Sequence, residues 1–548
     1  ILDHPPYKYD VIIIGAGTAG CVVANRLTEI SEWNVLLLEA GREEPEVTDI
    51  PGFVVDIEKT DIDWNYKTQS EPSACLFEKG CAWPRGKVMG GSGTLNYMLY
   101  VRGNPEDYND WEESGNLGWG YKDVLPYFKK SEDNNDEDIL KENLEYHQTG
   151  GYQSVERFPY TTPEAKTILQ GLEELGFKTI DINAESQLGA MNLQTTSYNG
   201  SRASTNKAFL RPIRGKRSNL FIKTRTFVTR ILIDRRTKTA IGVEYTDFCT
   251  GQSRTIMAKK EVIVSAGAIN SPMVLMLSGI GPIDELQKHG IDVIQDLFVG
   301  HNLQDHVSFT GLPCKVGHGT INCTQKIDDL NYYLSTNRGP YSTTGVSTIT
   351  AFCRTKYATN QSAPDLQLHF VPDGDNSVYF KQFFIWPTLL QPKSRGFIKL
   401  NDIDRTWGAP LIQARYLTED LDLKVMLEGV RKALELFNTT VFKENNFQLN
   451  ETSLPPCDTF PFSSDEYWIC VIKQYTHTVY HPVGTCKMGP NEDPKAVVDP
   501  TLRVRGVTNL CVIDASIMPN VIRGNTNAVT IMIAEKGSDM VKRKWNME

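Results

Sequence analysis

The stretch DVIIIGAGTAG, residues 10–20, joins a short apolar run to three closely spaced glycines. Residues 11–14 are consecutive β-formers, which predicts a buried strand that ends at Gly15. The G-x-G-x-x-G spacing then permits a tight turn at Gly15, close approach of a pyrophosphate at Gly17 and close helix–strand packing at Gly20. A helix that begins there would offer its free N–H groups to the phosphates.

A second apolar run strengthens this interpretation. Residues 34–38 are mostly apolar and lead to Glu39, roughly twenty residues after the glycines. A carboxylate at that place can accept hydrogen bonds from the ribose hydroxyls of an adenosine, and it disfavours a phosphorylated ribose. FAD and NAD both satisfy the pattern on these residues. The alternative is a structural strand–turn–helix with a surface glutamate.

Length and composition describe an ordinary globular protein. The chain has 548 residues, 40% of them apolar and 23% charged, and a formal net charge of −10. Its length predicts two closely connected domains. The negative charge argues against non-specific binding of nucleic acid or of an anionic membrane, and no apolar run is long enough to span a bilayer. The acidic segment 131–138 is expected to be a solvated loop.

The chain begins at Ile1, which we interpret as the start of a processed form. Two features favour a secreted protein. Candidate N-glycan sites occur at Asn199, Asn322, Asn360, Asn438 and Asn450. Three of the possible cysteine pairs would close small loops: Cys75/Cys81, Cys314/Cys323 and Cys457/Cys470. We predict at least one disulfide, with Cys75–Cys81 as the first choice, and an extracellular location.

A second glycine-rich segment, PRGKVMGGSGTLN, occupies residues 84–96. Its four glycines, with a serine and a threonine, predict a loop whose N–H groups can face an anion or a flat ring. We expect order rather than a flexible linker, because Arg85 and Lys87 lie within it and an apolar run, residues 97–101, follows. A helix is predicted from Asn96.

The middle of the chain supplies further elements. Residues 261–268 predict an apolar strand that ends on small residues, where a parallel sheet presents its carboxyl end to a ligand. Residues 309–415 mix β-like runs with aromatic residues, as expected of an inserted sheet domain. Helical periodicity is typical of residues 108–130, 163–175 and 421–437.

Two C-terminal stretches carry candidate chemistry. His477 and His481 are four residues apart, but Pro482 interrupts a helix and the Glu of H-E-x-x-H is missing, so we expect no metal site. A neutral imidazole at His481 suits the removal of a hydroxyl proton. The amide of Asn525 can hold the same oxygen without titrating. The pair could orient and deprotonate an alcohol; a purely structural His481 is the alternative.

Together these motifs resemble those of the glucose–methanol–choline (GMC) flavoprotein oxidoreductases, over essentially the whole chain and most closely the arthropod members. The glycine stretch with Glu39 and the loop at 84–96 carry the N-terminal part of the resemblance. Further matching segments are 200–212, 265–282, 299–306, 390–396, 477–489 and 512–528. The order of these segments along the chain makes the resemblance strong, although each one alone is a moderate signal.

The resemblance implies an α/β fold in which a Rossmann-like FAD-binding domain is interleaved with an α+β substrate domain built on an antiparallel sheet. We expect the FAD-binding domain to comprise residues 1–155, 216–308 and 466–548, of which the last also carries the catalytic residues. The substrate domain would comprise residues 156–215 and 309–465.

The resemblance also implies a set of site residues. FAD contacts are expected from Gly15, Gly17, Thr18, Ala19, Gly20, Glu39, Ala40, Arg85, Gly86, Met89, Gly90, Gly91, Thr94, Asn96, Tyr97, Met98, Val101, Val228, Ala266, Asp514, Ala515, Asn525 and Asn527. His481 matches the family's catalytic base and Asn525 its partner. Members that bond FAD covalently carry a histidine where this chain has Leu95, so we predict non-covalent FAD.

The implied reaction oxidises an alcohol to a carbonyl, with His481 taking the hydroxyl proton and a hydride passing to FAD N5. An aromatic run in the inserted domain favours a small aromatic alcohol or a cyanohydrin such as mandelonitrile, provided that two or three of its members line the pocket. The run comprises Phe370, Tyr379, Phe380, Phe383, Phe384 and Trp386.

Three alternatives remain open on the sequence. A dehydrogenase acting on glucose or another sugar, with a quinone as acceptor, is the first. An FAD-containing hydroxynitrile lyase without redox turnover is the second, and a flavin-binding protein with a disabled site is the third. Either O2 or a quinone could reoxidise the flavin.

Overall fold

The computed structural model describes residues 8–317, 323–374 and 376–547. In these residues, helices span Thr18–Leu27, Pro105–Glu113, Tyr121–Ser131, Glu137–Asn143, Pro163–Glu174, Gly267–Leu277, Ile283–Lys288, Cys323–Thr336, Asp420–Glu435, Thr440–Glu444, Asp465–Gln474 and Asn527–Lys544. None of these helices combines the length and the apolar character that a membrane crossing requires.

A mixed sheet carries the N-terminal glycine stretch. Its parallel strands, in spatial order, are Leu220–Lys223, Val35–Leu38, Lys8–Ile14, Ser253–Val264 and Leu510–Val512. An antiparallel extension on Ser253–Val264 adds Thr239–Asp247 and Thr226–Asp234. Residues 11–14 are buried on both faces of this sheet, which explains why they read as an unbroken apolar run.

A second sheet is antiparallel throughout. Its spatial order is Gln448–Leu449, Leu312–Lys315, Phe380–Leu389, Leu366–Gly374, Ile349–Cys353 and Gly189–Asn192. Val307–Phe309 also pairs with Phe380–Leu389, and Thr476–Thr478 pairs in turn with Val307–Phe309. Helix Asp420–Glu435 packs on strand Phe380–Leu389. The predicted fold class, a Rossmann-like α/β unit interleaved with an α+β unit, is confirmed.

The C-terminal part of the chain connects the two sheets. Strand Thr476–Thr478 belongs to the antiparallel sheet, whereas strand Leu510–Val512 pairs with the parallel one. Residues that follow each of these strands therefore meet in the space between the sheets. This placement brings His481 toward the glycine stretch, which lies far from it in sequence.

Two disulfides close small loops. Cys75 bonds to Cys81, as predicted, with 5.5 Å between the Cα atoms, and Cys457 bonds to Cys470 with 5.7 Å. The third candidate pair does not form: Cys314 is a buried free thiol and Cys323 an exposed one.

The helix predicted from Asn96 does not exist. A short 3₁₀ turn, Gly91–Thr94, ends before it, and irregular backbone follows. The side chain of Asn96 accepts a hydrogen bond from the Met98 N–H at 3.0 Å, and Arg202 donates to the Asn96 carbonyl at 2.6 Å. These bonds occupy groups that a helical ladder would need.

The acidic segment 131–138 is not a solvated loop. Glu132–Asn134 forms a strand parallel to Gln153–Val155, and a helix begins at Glu137. Glu132 is fully buried because the Arg102 guanidinium, 2.9 Å away, and the His147 imidazole, also 2.9 Å away, both engage its carboxylate. These two partners, which come from outside the segment, offset the desolvation cost of burying the Glu132 charge.

Candidate active site

A deep cavity lies between the two sheets, and both ends of the chain contribute to its walls. Its lining comes from within segments 14–19, 38–40, 84–99, 226–228, 265–274, 479–482, 514–515 and 525–530, together with Glu58 and Trp64. The cavity therefore combines the glycine stretch, the loop at 84–96 and the C-terminal histidine in one space.

The glycine turn can exist only without side chains. Gly15 has a φ of +97°, and a Cβ there would lie 2.6 Å from the carbonyl oxygen of Ser265. A Cβ at Gly20 would lie 1.8 Å from the carbonyl oxygen of Gly15. Helix Thr18–Leu27 starts at the cavity with no side-chain cap on its first N–H groups. This arrangement fits the pyrophosphate of a dinucleotide.

Glu39 lies in the wall at the end of the second parallel strand. Its two carboxylate oxygens accept hydrogen bonds from the backbone N–H groups of Ala16 and Gly41, each at 2.8 Å. Burial raises the pKa of Glu39 to about 7, against the opposing effect of these two N–H groups and of Lys87. The remaining lone pairs of the carboxylate can accept ribose hydroxyls.

The loop at 84–96 packs backbone against backbone. A Cβ on Gly86 would lie 2.2 Å from the carbonyl of Gly91, and one on Gly91 would lie 2.6 Å from the Cα of Gly17. Arg202, fully buried, donates to the carbonyls of Gly93 and Asn96 at 3.2 and 2.6 Å. The loop is therefore held at a fixed distance from the glycine turn.

Asp514 connects the end of a parallel strand to a helix N-terminus. Its carboxylate accepts hydrogen bonds from the Gly267 N–H at 2.9 Å, the Ser516 N–H at 2.8 Å and the Ser271 hydroxyl at 2.5 Å. Burial raises the pKa of this carboxyl, and these hydrogen bonds oppose the shift. Asp514 thereby aligns Ala266 and Ala515 along the same wall.

His481 lies at the other end of the cavity, in a chain of hydrogen bonds. Its Nδ1 is 2.9 Å from Nδ1 of His306, and its Nε2 is 3.2 Å from Nδ2 of Asn525. Nε2 of His306 is 2.9 Å from the carbonyl oxygen of Ile522. Oδ1 of Asn525 is buried and has no hydrogen-bond partner among the described residues.

These contacts determine the tautomer of His481. A carbonyl oxygen can only accept, so Nε2 of a neutral His306 carries the proton and its Nδ1 is an acceptor. His481 must then donate from Nδ1, which leaves a lone pair on its Nε2. The Asn525 amide donates to that lone pair. His481 therefore presents an unprotonated Nε2 to the cavity.

Electrostatics keep this histidine neutral. Burial lowers the pKa of His481 well below its ordinary value, and the neighbouring His306, His369 and Arg85 lower it further. Burial also lowers the pKa of His306 to about 4 and that of His369 to about 3. The three imidazoles are consequently neutral near pH 7, each with a proton on one ring nitrogen only.

Asp305 holds the backbone that carries His481. Its Oδ1 accepts the His481 N–H at 2.8 Å, and its Oδ2 accepts the hydroxyls of Tyr416 and Thr478. Burial raises the pKa of Asp305 to about 6, although these hydrogen bonds and Arg85 oppose the shift. Asp305 thus fixes the backbone of His481, while its chain neighbour His306 contacts the imidazole.

Most of the expected cofactor contacts lie in the cavity wall. The structure brings together Gly15, Gly17, Thr18, Ala19, Glu39, Ala40, Arg85, Gly86, Gly91, Asn96, Tyr97, Met98, Val228, Ala266, Asp514, Ala515, Asn525 and Asn527. Asn527 accepts a hydrogen bond from the Thr18 hydroxyl at 3.1 Å, which joins the two ends of the chain.

Five expected contacts lie behind the wall instead. Gly20 packs on the Gly15 carbonyl, and Met89 is fully buried in the core. Gly90 and Thr94 approach each other, and the Thr94 hydroxyl donates to the Met89 carbonyl at 2.9 Å. Val101 packs against Gly524. They support the lining residues, and the direct FAD contact expected of them remains a prediction.

Sequence reasoning assigned no role to three residues of this site. Asp305 and His306 lie in the matched segment 299–306, but nothing local shows that they face His481. Glu58 lines the cavity from an irregular stretch without a recognisable motif. For Asp305 and His306, the match of segment 299–306 to the family motif was the one available indication. No sequence pattern indicated Glu58.

The aromatic run is placed away from the cavity. Phe370 and Phe383 are fully buried in the core, and Trp386 stacks on His477 and donates to the Thr310 carbonyl at 3.0 Å. No member of the run is among the lining residues. The condition on which the aromatic substrate depended is therefore not met: Phe370 and Phe383 point into the core, and the half-buried Phe380, Phe384 and Trp386 lie outside the lining.

Comparisons with known proteins agree with this architecture. Two models of the GMC oxidoreductase family match the chain, the N-terminal one over residues 9–308 and the C-terminal one over residues 392–534. Glucose dehydrogenase (FAD, quinone) of Drosophila melanogaster is 45% identical over 99% of this chain and 88% of that protein.

Two further similarities come from bacteria. Alcohol dehydrogenase (acceptor) of Pseudomonas putida is 37% identical over 98% of this chain and 96% of that protein. Among solved structures, pyridoxine 4-oxidase from Mesorbium loti superposes with a TM-score of 0.83 at 26% identity, covering 98% of this chain and 99% of that chain.

Proposed function

Because the chain belongs to the GMC oxidoreductases, an FAD-dependent family that acts on CH–OH donors, we propose that it oxidises a hydroxyl group of a sugar or related polyol and passes the electrons to a quinone-type acceptor. The observation that carries the proposal is the His481–Asn525 pair in the same cavity as the dinucleotide cradle. The similarity to an insect glucose dehydrogenase supports the choice of substrate and acceptor.

The residues present fit FAD. The glycine turn and the uncapped helix N-terminus would hold the pyrophosphate, Glu39 the ribose of the adenosine, and the loop at 84–96 with Asp514 the flavin half. When bound, FAD accepts the hydride that leaves the carbinol carbon of the substrate. Leu95 is packed with Ile57, Ile62 and Val88 and offers no nucleophile, which supports non-covalent binding.

His481 is the proposed general base. Its unprotonated Nε2 takes the proton of the substrate hydroxyl as the C–H bond breaks. Since burial and its neighbours hold the pKa of His481 low, Nε2 stays unprotonated across the neutral range. The substrate hydroxyl would replace the Asn525 amide as the donor to its lone pair. His306 accepts the Nδ1 hydrogen bond throughout and keeps the ring in one orientation.

Asn525 is the proposed orienting group. Its Nδ2 is 3.2 Å from Nε2 of His481, so a substrate oxygen that approaches the base also approaches the amide. Its buried Oδ1, unpartnered among the described residues, can accept a hydrogen bond from the substrate. Asn525 can therefore hold the reacting oxygen without competing for the proton.

The substrate screen is an anaerobic test of flavin bleaching with sugars, sterols, benzylic alcohols and cyanohydrins. We expect a sugar to bleach the flavin fastest, and a quinone to restore the colour faster than air does. Cleavage of a cyanohydrin without bleaching, or bleaching by benzylic alcohols alone, would contradict the proposal. His481→Ala, with its FAD content verified, is the inactive control, slower by roughly a hundredfold or more.

We also propose that the protein passes through the secretory route. The two disulfides support this, because such bonds persist in oxidising compartments. Asn199 and Asn438 are exposed, as glycan attachment requires, and Asn360 and Asn450 are half-buried. Asn322 lies outside the described residues. Release of glycans by an endoglycosidase, followed by mass measurement, tests which of the sites are occupied.

A further inference from the structure

Glu58 is a cavity carboxylate that neither the base nor the cofactor cradle uses. It lies half-buried in the irregular segment that precedes the loop at 84–96, and its side chain is part of the cavity lining. No described residue forms a hydrogen bond or an ion pair with it. Lys59 and Arg85 act on Glu58 only through longer-range attraction.

Two phenols accompany this carboxylate. Tyr97, whose ring is also an expected FAD contact, and Tyr480 both line the cavity, and neither hydroxyl has a hydrogen-bond partner among the described residues. Burial raises the pKa of both phenols, and the nearby charge of Glu58 raises them further. Tyr480 directly precedes His481 and has a φ of +65°, a conformation that a non-glycine residue rarely adopts.

The three groups line the same cavity, and Glu58 is near enough to act electrostatically on both phenols. A carboxylate and two phenols, unpaired within the protein, offer several acceptors and two donors to whatever enters. Burial, together with Asp63, raises the pKa of Glu58 to about 7 in spite of Lys59 and Arg85. An apolar ring placed there would leave all three groups without partners, at a cost for each one. A ligand with several hydroxyl groups would satisfy them.

We propose that Glu58, together with the hydroxyls of Tyr97 and Tyr480, binds the non-reacting hydroxyl groups of a polyhydroxylated substrate. Glu58 accepts hydrogen bonds from the substrate, and the two phenols donate or accept according to the hydroxyl that each one meets. The inference rests on the proposed function, since the bound polyol would be the one whose reacting hydroxyl lies at His481. It makes Glu58 a specificity-determining residue of this enzyme.

The test separates binding from oxidation. Binding of 1-deoxyglucose, which lacks the anomeric hydroxyl, is measured by calorimetry on the FAD-loaded wild type and on Glu58→Leu, Glu58→Gln and Asp56→Asn. Asp56 is an exposed acid two residues away that is absent from the cavity lining, so it is the matched control. We expect Glu58→Leu to weaken binding about 10- to 100-fold, Glu58→Gln to weaken it less, and Asp56→Asn to bind as the wild type does.

A second measurement compares substrates. For Glu58→Leu, kcat/KM should fall about 10- to 100-fold with D-glucose and much less with a monohydric alcohol that has no hydroxyls for Glu58 to bind. Unchanged binding in Glu58→Leu, or an equal fall for both substrates, would overturn the inference. Weakened binding in a protein whose flavin no sugar bleaches would uphold the recognition site and overturn the proposed function instead.

Discussion

His306 decides how His481 can act, although it does not touch the substrate space. It accepts the Nδ1 hydrogen bond of His481 and donates to the Ile522 carbonyl, so the two imidazoles share one defined proton arrangement. A positioning residue of this kind changes the orientation and the pKa of the base. It leaves the lining of the cavity in place.

His306→Leu tests this role. Without an acceptor for its Nδ1 proton, His481 loses its defined tautomer, and we expect the rate of flavin reduction to fall tenfold or more with little change in KM. Since His306 lowers the pKa of His481, its removal should raise that pKa and move the acid limb of the pH–rate profile to higher pH. An unshifted profile with a slower rate would indicate a merely structural role.

At the scale of elements, Arg202 connects the short strand Ser201–Arg202 to the loop at 84–96. Its guanidinium also donates to the Asn96 side chain at 2.9 Å and to the Thr48 carbonyl at 2.7 Å. Burial lowers its pKa, in spite of attraction from Glu44 and Asp49. The planar guanidinium of arginine has enough N–H groups to reach the acceptors on Thr48, Gly93 and Asn96 together, whereas the ammonium group of a lysine does not.

Arg202→Lys should therefore loosen the loop. We expect FAD to dissociate about tenfold more readily, because carbonyls of the loop lose their donor. FAD affinity is measured from the recovery of flavin fluorescence on dilution, with Arg230→Lys, at an exposed ion pair with Glu244, as the control. Equal FAD affinity in both variants would contradict this role for Arg202.

A buried charge network surrounds Glu132. His147 contacts Glu132 at 2.9 Å and Asp181 at 2.8 Å, and Arg102 contacts Glu132. Burial alone would lower the pKa of His147, but its hydrogen bonds to Asp181 and Glu132 outweigh burial and raise the pKa above 6.5. The folded protein thus holds the proton of His147 more tightly than the unfolded chain does.

Because the pKa of His147 is raised on folding, the free energy of unfolding should decrease as the pH rises. The contribution of protonated His147 to stability is fully present below its unfolded pKa of about 6.5 and is lost as pH rises through the folded value. We expect the urea midpoint of the wild type to fall as the pH is raised through that range, and His147→Gln to show a smaller slope and a lower midpoint at acid pH. Parallel curves would contradict the assignment.

At the scale of the whole molecule, the two ends of the chain share one core. Helix Thr18–Leu27 packs on helix Asn527–Lys544, and Arg26 donates to both carboxylate oxygens of the fully buried Glu535, at 2.7 and 2.8 Å. The glycine stretch and the C-terminal residues of the site are held together by this contact. It spans 509 residues of sequence.

Arg26→Met should test the contact between the ends. The variant leaves the buried Glu535 carboxylate with Lys130, 3.7 Å away, as its one remaining ion-pair partner among the described residues, which we expect to cost about 3–5 kcal/mol of unfolding free energy. The double variant Arg26→Met/Glu535→Met removes both charges and should recover much of that loss, as measured by chemical denaturation. Additive losses in the double variant would show that the two residues do not interact as described.

Sequence-based prediction succeeded for the glycine motifs and failed for two segments that distant residues contact. The glycine stretch, Glu39 and the loop at 84–96 have local requirements, namely tight turns and close backbone contact, and these leave recognisable spacings. The helix expected after Asn96 and the solvated loop at 131–138 were wrong, because Arg202 and Arg102 reach those segments from elsewhere in the chain. Glu58 has no local signature at all.

By itself, the sequence determined the family, the fold class, the FAD cofactor and the candidate pair His481 and Asn525, because each rests on a motif whose chemistry is local. Only the tertiary structure decided which aromatic residues are core and which polar groups face the cavity. The strand pairing that buries Phe370 and Phe383, and the presence of Glu58, Tyr97, Tyr480 and His481 in one cavity, depend on contacts between distant segments. No spacing along the chain records such contacts.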